Sequence, residues 1–271
     1  MSKFIFFDID GTLVDFSMHI PESTIEGLRL ARANGHRIAI CTGRPYTNIY
    51  PFLLDLDFDG VVASAGAYIQ YQNTNLYRSV LEPEQLTVLA GLLHRHGAAY
   101  FLQGYPGRFV TEEDSLVMDA VLSNGAGAKE LRQGMTLCQA PEQLEGMECG
   151  VYFRSDAVVE QMQEEADAAT EGYFRLTGCS FGTDIVYSGE ITKKGVNKAT
   201  GMQRLLEAAG LTRKDTVAFG DGSNDFEMIQ FADQGIVMGN GIPKLKECGD
   251  YVTTAIEQDG IWNGLKHLKL I

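Results

Sequence analysis

The chain has 271 residues, enough for one large α/β domain or for two smaller ones with separate cores. Its formal net charge is −14, from 22 Lys and Arg against 36 Asp and Glu, which excludes bulk electrostatic attraction to nucleic acid or to an anionic membrane. A few local cations would still suffice to build a site for a small anion.

The first third alternates strand and helix. "FIFFDI" (4–9) is a near-continuous apolar run, the pattern of a strand covered on both faces. "PESTIEGLRLARANG" follows as a helix, with Ile25, Leu28 and Ala31 at helical spacing and Gly35 as its stop. "HRIAIC" (36–41) is a second strand, "YTNIYPFLLDL" a helix weakened in its middle by Pro51, and "GVVAS" (60–64) a third strand. This βαβαβ order predicts a parallel sheet with right-handed crossovers.

The pattern then changes. "AYIQYQNTNLYRSV" (67–80) reads as a hairpin turning at "NTN". Between about residues 84 and 187 helices and strands mix less regularly: a helix in "EQLTVLAGLLHRHG", strands in "AAYFLQ", "RFVTE" and "GVYFRS", an acidic helix in "AVVEQMQEEADAATEG", and strands in "YFRLT" and "TDIVYS". This reads as a second α+β domain inserted into the first. The alternation returns with a helix in "GVNKATGMQRLLEAAG" (195–210), strand, loop and helix in "DTVAFGDGSNDFEMIQFA" (215–232), a strand in "QGIVMG" (234–239) and a closing helix in "IEQDGIWNGLKHL". The expected fold is α/β: a discontinuous Rossmann-like parallel-sheet core of residues 1–83 and 188–271, with an inserted α+β domain over 84–187.

Four places can carry chemistry. Asp8 and Asp10 stand at the C-terminal end of the first strand, followed by Gly11 and Thr12. In open α/β sheets ligands bind at that end of the strands. Two like charges so close raise each other's pKa unless a cation intervenes; the plainer reading is an Asp/Gly/Thr turn. Thr42-Gly43-Arg44 follows the second strand and suits an anionic oxygen, although Gly-Arg after a strand is also an ordinary turn. Lys198 lies in the first turn of a helix, where the macrodipole disfavours a cation; with Lys193 and Lys194 nearby, the plain alternative is three solvated lysines. Gly220-Asp221-Gly222-Ser223-Asn224-Asp225 again places two carboxylates at a strand end, with Ser223 able to cap the next helix. Neither acidic loop is a calcium EF-hand, because Leu13 and Phe226 stand where that loop needs Gly. Taken together, the four supply carboxylates, a hydroxyl, a Lys and an Arg to one end of one sheet. That set favours a hard cation such as Mg²⁺ and phosphoryl transfer.

The motifs "DIDGTL", "CTGRP", "GVNKATGM" and "GDGSNDFEM" resemble, in order and spacing, those of the haloacid dehalogenase superfamily of phosphohydrolases, in its Cof-like sugar-phosphatase branch with a large cap between motifs two and three. The resemblance implies a Mg²⁺-dependent phosphatase of small phosphorylated metabolites, sugar phosphates or cofactor phosphates. Asp8 would be the nucleophile that becomes an aspartyl phosphate, and Asp10 the acid and then the base. Thr42 and Lys198 would hold phosphoryl oxygens, with Gly43, Arg44 and Asn224 also on the phosphate side. Mg²⁺ would be bound by Asp8, the Asp10 main-chain carbonyl and Asp221, with Asp225 supporting these from behind. A phosphomutase on the same fold, or a phosphometabolite-binding protein without activity, are the alternatives; loss of Asp8 or Asp10 would have marked the latter. The chain departs from the pattern at Ala65-Gly66-Ala67, where relatives often carry Asn-Gly-Ala, and at Cys41, read as a core residue.

The cap is expected to set specificity, with Tyr105, Arg108 and the "SFGTD" stretch (180–184) as candidate contact residues; for Arg108 the favoured reading is a surface cation. Five scattered cysteines without a CxxC suit free thiols in a reducing compartment. With no signal core and no apolar run of about 18 residues, the chain is expected to be cytoplasmic, with no nucleic-acid or membrane partner.

Overall fold

The computed structural model describes residues 2–15, 17–122, 134–178 and 187–271. Contacts within the chain gather into two compact units. One comprises 1–43, 49–77 and 197–271, the other 44–48 and 78–196.

The first unit is built on an eight-stranded sheet. Its strands are β1 (Phe4–Phe7), β2 (Arg37–Cys41), β3 (Gly60–Ala63), β4 (Tyr68–Tyr71), β5 (Thr74–Arg78), β12 (Thr216–Gly220), β13 (Gln234–Val237) and β14 (Tyr251–Val252). Their spatial order is β14-β13-β12-β1-β2-β3-β4-β5. From β14 to β3 all neighbours are parallel, and β4 turns antiparallel against β3. Chain order runs outward from β1 in both directions. The β1/β12 junction is therefore the switch point of the sheet, and in open α/β sheets ligands bind beyond the strand C-termini at such a point.

β1 is buried at all four positions because both faces are covered. On one face Phe4, Phe6, Ala39, Cys41, Val62 and Ala218 pack with Met202, Leu205 and Leu206 of α6 (Lys198–Ala209) and with Met228 and Ile229 of α7 (Phe226–Phe231). On the other lie α1 (Glu22–Ala33) and α8 (Gly260–His267); Gly264 seats α8 against the ring of Phe219, which stacks on Phe7 with ring centroids 5.1 Å apart. Each buried phenylalanine contributes about 1.5–3 kcal/mol. Three local expectations differ. Ile25 is exposed, so α1 presents Leu28 and Ala31 but not Ile25 to the core. Pro51 starts a helix rather than interrupting one: α2 (Pro51–Leu54) begins at the proline, whose missing N–H costs nothing at that position. The strand expected over 60–64 ends at Ala63, and Ser64–Gly66 form a tight turn.

The second unit holds a six-stranded sheet in the order β10-β11-β9-β6-β7-β8. Its strands are β6 (Ala99–Gly104), β7 (Gly107–Val110), β8 (Met135–Leu137), β9 (Met147–Phe153), β10 (Phe174–Gly178) and β11 (Gly189–Lys193). Helices α3 (Pro83–Arg95) and α5 (Val159–Thr170) supply Leu86, Leu89, Leu93, Met162 and Ala166 to a core with Tyr100, Leu102, Tyr152, Phe174 and Ile191. Met118 of α4 (Glu112–Leu122) packs with Phe101, Val110, Val151 and Phe153. The "SFGTD" stretch and most of "TDIVYS" lie outside the described residues. The fold is thus α/β, a core parallel sheet with a second sheet domain inserted in its chain. Among the described residues no helix is long and apolar enough to cross a membrane.

Candidate active site

Parallel register brings the first and last acidic motifs together. Phe7 stands opposite Phe219 on β12 and opposite Ile40 on β2. The next residues out, Asp8, Gly220 and Cys41, therefore share the C-terminal edge of the sheet. The Asp8 N–H donates to the Phe219 carbonyl at 3.0 Å and extends the ladder by one bond.

Lys198 reaches the same point from α6. The helix is capped by Asn197, whose side chain accepts the Thr200 N–H at 2.9 Å while the Thr200 hydroxyl accepts the Asn197 N–H at 3.0 Å. The helix N-terminus comes close because residue 66 is glycine: with φ +100, a side chain there would be strained and would run into the Asn197 carbonyl. The chain's departure from the resembled pattern falls beside it, since Ala65 holds a left-handed φ of 52°, a conformation more comfortable for Asn. Lys198 is 1% exposed, and its Nζ donates to Asp8 Oδ1 and Asp225 Oδ1, each at 2.6 Å, and to Asn224 Oδ1 at 3.5 Å. A cation set against the helix dipole is therefore held by two carboxylates.

Asp8, Asp221 and Asp225 each offer an oxygen within 4.8 Å of the others. Their oxygens are not equally engaged. Asp225 uses both: Oδ1 on Lys198, and Oδ2 accepting the N–H groups of Asp221 and Gly222 at 2.9 Å each. Asp225 thereby ties down the start of the loop. Asp8 spends Oδ1 on Lys198, and Asp221 spends Oδ1 on the Thr12 hydroxyl at 2.8 Å. Among the described residues neither Oδ2 takes a hydrogen bond.

Three carboxylates against one ammonium leave the cluster in excess of negative charge. Burial raises the Asp8 carboxyl well above its ordinary value; Lys198 opposes this, and Asp225, Asp221 and Asp10 add to it. Burial, then Asp225, pushes Asp221 up to about 7 against the opposing Thr12 bond and Lys198. Burial works against the Lys198 charge, but Asp225 and Asp8 outweigh it and hold the ammonium above its usual range. An all-oxygen donor set with surplus negative charge fits a hard divalent cation, and Asp8 and Asp221 are the two with an oxygen to give.

The other expected residues fall as follows. Asp10 is exposed, and its carboxyl is not part of the three-carboxylate cluster. Thr42 is buried just beyond β2; its N–H donates to the Val62 carbonyl at 2.8 Å and its carbonyl accepts the Ala65 N–H at 3.0 Å. Gly43 ends the first unit's segment, and Arg44 belongs to the second, its Nη1 donating to the Asn48 carbonyl at 3.4 Å. Cys41 is fully buried with its thiol pKa raised by burial, a core residue as read. Arg108 is buried over the Phe101 ring, 5.1 Å from its centroid, rather than lying on the surface, and Tyr105 is 47% exposed. Sequence reasoning gave Thr12 no role of its own and missed Asn240. Thr12 was legible as the hydroxyl beside the acid pair; Asn240, which donates to the Gly11 carbonyl at 2.8 Å, had only its Gly-Asn-Gly turn as a signal.

This chain belongs to the haloacid dehalogenase-like hydrolases, whose family model matches residues 5–265. It is 31% identical to YkrA of Bacillus subtilis (strain 168), over 100% of this chain and 99% of that one. It is 26% identical to YitU of the same organism, a 5-amino-6-(5-phospho-D-ribitylamino)uracil phosphatase, over 96% of this chain and 94% of that one. Among solved structures, the subclass IIB sugar phosphatase BT4131 superposes with a TM-score of 0.79 at 28% identity, each chain fully covered. Fold, site and relatives define a phosphatase of the haloacid dehalogenase type.

Proposed function

We propose that the chain hydrolyses small phosphorylated metabolites in a Mg²⁺-dependent reaction through an aspartyl phosphate on Asp8. The observation that carries this reading is the buried Lys198, 2.6 Å from both Asp8 and Asp225 with Asp221 in the same cluster. A carboxylate nucleophile must be ionised, and an ammonium in direct contact favours the ionised form.

Asp8 attacks phosphorus and displaces the leaving oxygen. Asp10, outside the buried cluster, protonates that oxygen and afterwards takes the proton of the water that opens the aspartyl phosphate. Lys198 and Thr42 hold phosphoryl oxygens, with Gly43 and Asn224 on the same side. Mg²⁺ would be held by Asp8, the Asp10 main-chain carbonyl and Asp221, and would offset the repulsion between these carboxylates and an incoming phosphoryl group. Asp225 supports by locking Lys198 and the Asp221 loop.

A small phosphorylated metabolite as substrate is supported by the relatives, among them a sugar phosphatase and a 5-amino-6-(5-phospho-D-ribitylamino)uracil phosphatase. The inserted domain, with Tyr105 and Arg108, sets the choice among such metabolites. Phosphate release from a panel of sugar, polyol and cofactor phosphates, with Mg²⁺ and with excess chelator, tests the reading. Release that persists after the metal is removed contradicts it, and so does a panel without any turnover.

A further inference from the structure

The two acidic loops follow strands more than two hundred positions apart, so bonds between distant segments must set their spacing. Gly11 sits at φ +85, where only glycine moves freely, and the Asp221 carboxylate lies where a side chain at position 11 would be. Within the loop, the Gly11 N–H donates to the Val14 carbonyl at 2.8 Å, and the N–H groups of Thr12, Leu13 and Val14 donate to the Ile9 carbonyl at 3.2, 2.9 and 2.9 Å. Two long-range bonds then fix it from outside: the Thr12 hydroxyl to Asp221, and the Asn240 amide to the Gly11 carbonyl, both 2.8 Å.

Asn240 belongs to the turn after β13, and that turn also holds the other acidic loop. The Ile242 N–H donates to the Asp221 carbonyl and the Met238 N–H to the Gly220 carbonyl, each at 3.0 Å. The far end of the Asn240 amide accepts the Ile256 N–H at 3.0 Å. Its orientation is forced, because a carbonyl can only accept and a backbone N–H can only donate.

We propose that Asn240 is a positioning residue for the acidic centre: by pinning the Gly11 carbonyl it fixes the peptide after Gly11, and so sets where the Thr12 hydroxyl and, through Gly11, the Asp10 main-chain carbonyl stand relative to Asp221. Through one turn, the spacing of the two loops is fixed. The inference rests on the reading above that these groups receive a divalent cation.

Asn240→Asp separates this role from upkeep of the turn. It keeps the acceptor for Ile256 but sets an oxygen against the Gly11 carbonyl oxygen; Asn240→Ala removes both bonds. The first readout is the Mg²⁺ concentration that half-saturates thermal stabilisation of the purified protein, without substrate. Asn240→Asp is expected to need at least about fivefold more Mg²⁺, the loss of one hydrogen bond's worth of organisation. Its added negative charge alone would tighten a cation, so weakening reports geometry. In turnover, kcat is expected to fall about 10- to 100-fold with KM changed little, as for a small displacement of reacting groups. An Asn240→Asp protein with wild-type or tighter Mg²⁺ half-saturation overturns the inference, and so does one that fails to fold without Mg²⁺, which would assign Asn240 to the fold. Wild-type protein that is not stabilised by Mg²⁺ overturns the metal reading and this inference with it. A wild type that responds, matched by Asn240→Asp, overturns this inference alone.

Discussion

Buried carboxylates occur in both units, but they are balanced differently. In the inserted unit Glu148, with its side chain fully buried, is met by Arg78 at 2.7 Å, and the Arg78 guanidinium also donates to the Gly146 carbonyl. His96 bridges Asp156 and Glu165 at 2.6 and 2.9 Å nearer the surface. In the first unit Asp8, Asp221 and Asp225 share one Lys198. A balanced pair can be purely structural. A surplus of buried like charge destabilises the fold unless it is used, so the imbalance marks the working site.

The comparison breaks most severely at Asp8. Asp8→Asn relieves the like-charge crowding yet removes the nucleophile, so turnover of every substrate should vanish in a phosphate-release assay while the fold survives, or even gains stability, in a thermal melt. Asp10→Asn should be milder and depend on the leaving group. General acid–base help is worth about 10²–10⁴ in rate, and the loss in phosphoenzyme formation should be large for a sugar phosphate and small for an aryl phosphate. Equal losses on both in single-turnover experiments would remove Asp10 from that role.

The pH response should sharpen the contrast. With no metal bound, Asp221 titrates near 7 in the folded chain and from an ordinary value of 3.8 when unfolded. A raised carboxyl favours the fold at low pH and loses that contribution as pH rises through about 7, so metal-free protein should become less stable over this window. Mg²⁺ needs the deprotonated form, and its stabilisation should therefore shrink as pH falls from 8 to 6, read by paired thermal melts with and without Mg²⁺. A Mg²⁺ effect that is independent of pH would contradict the assignment of Asp221.

The smallest effect on chemistry belongs to the balanced pair. Arg78→Met removes the Arg78 guanidinium from Glu148; because Arg78 is one-third exposed, a loss of about 1–3 kcal/mol is expected rather than the full cost of a deeply buried pair. Its signature is a lowered melting temperature with Mg²⁺ dependence intact. Loss of Mg²⁺ dependence in that variant would mean that the two regions are not separate in kind.

The acidic cluster was legible in the sequence because each member stands at the end of an apolar strand or at a helix start, where a polar residue departs from the local pattern. Lys198 was conspicuous for sitting against the helix dipole, and it is the residue both carboxylates hold. Helix α4 was not read: it opens on Glu112, Glu113 and Asp114, and its contrast between faces is low. Strand β8 has three residues, and β11 buries Glu190 and Thr192, so neither shows an apolar run. Asn240 acts on a carbonyl 229 positions away, and no local pattern encodes such a bond.

The most direct test of the account is to identify the atom that carries the phosphoryl group. Asp10→Asn protein, in which breakdown of the intermediate is slowed, is mixed with an aryl phosphate and saturating Mg²⁺, quenched in acid within the first turnover, digested and mapped by mass spectrometry. The account predicts a phosphoryl increment on the peptide carrying Asp8, absent when Asp8→Asn is combined with the same change. A stoichiometric burst of leaving group with no increment on that peptide, or with the label on another residue, would contradict it.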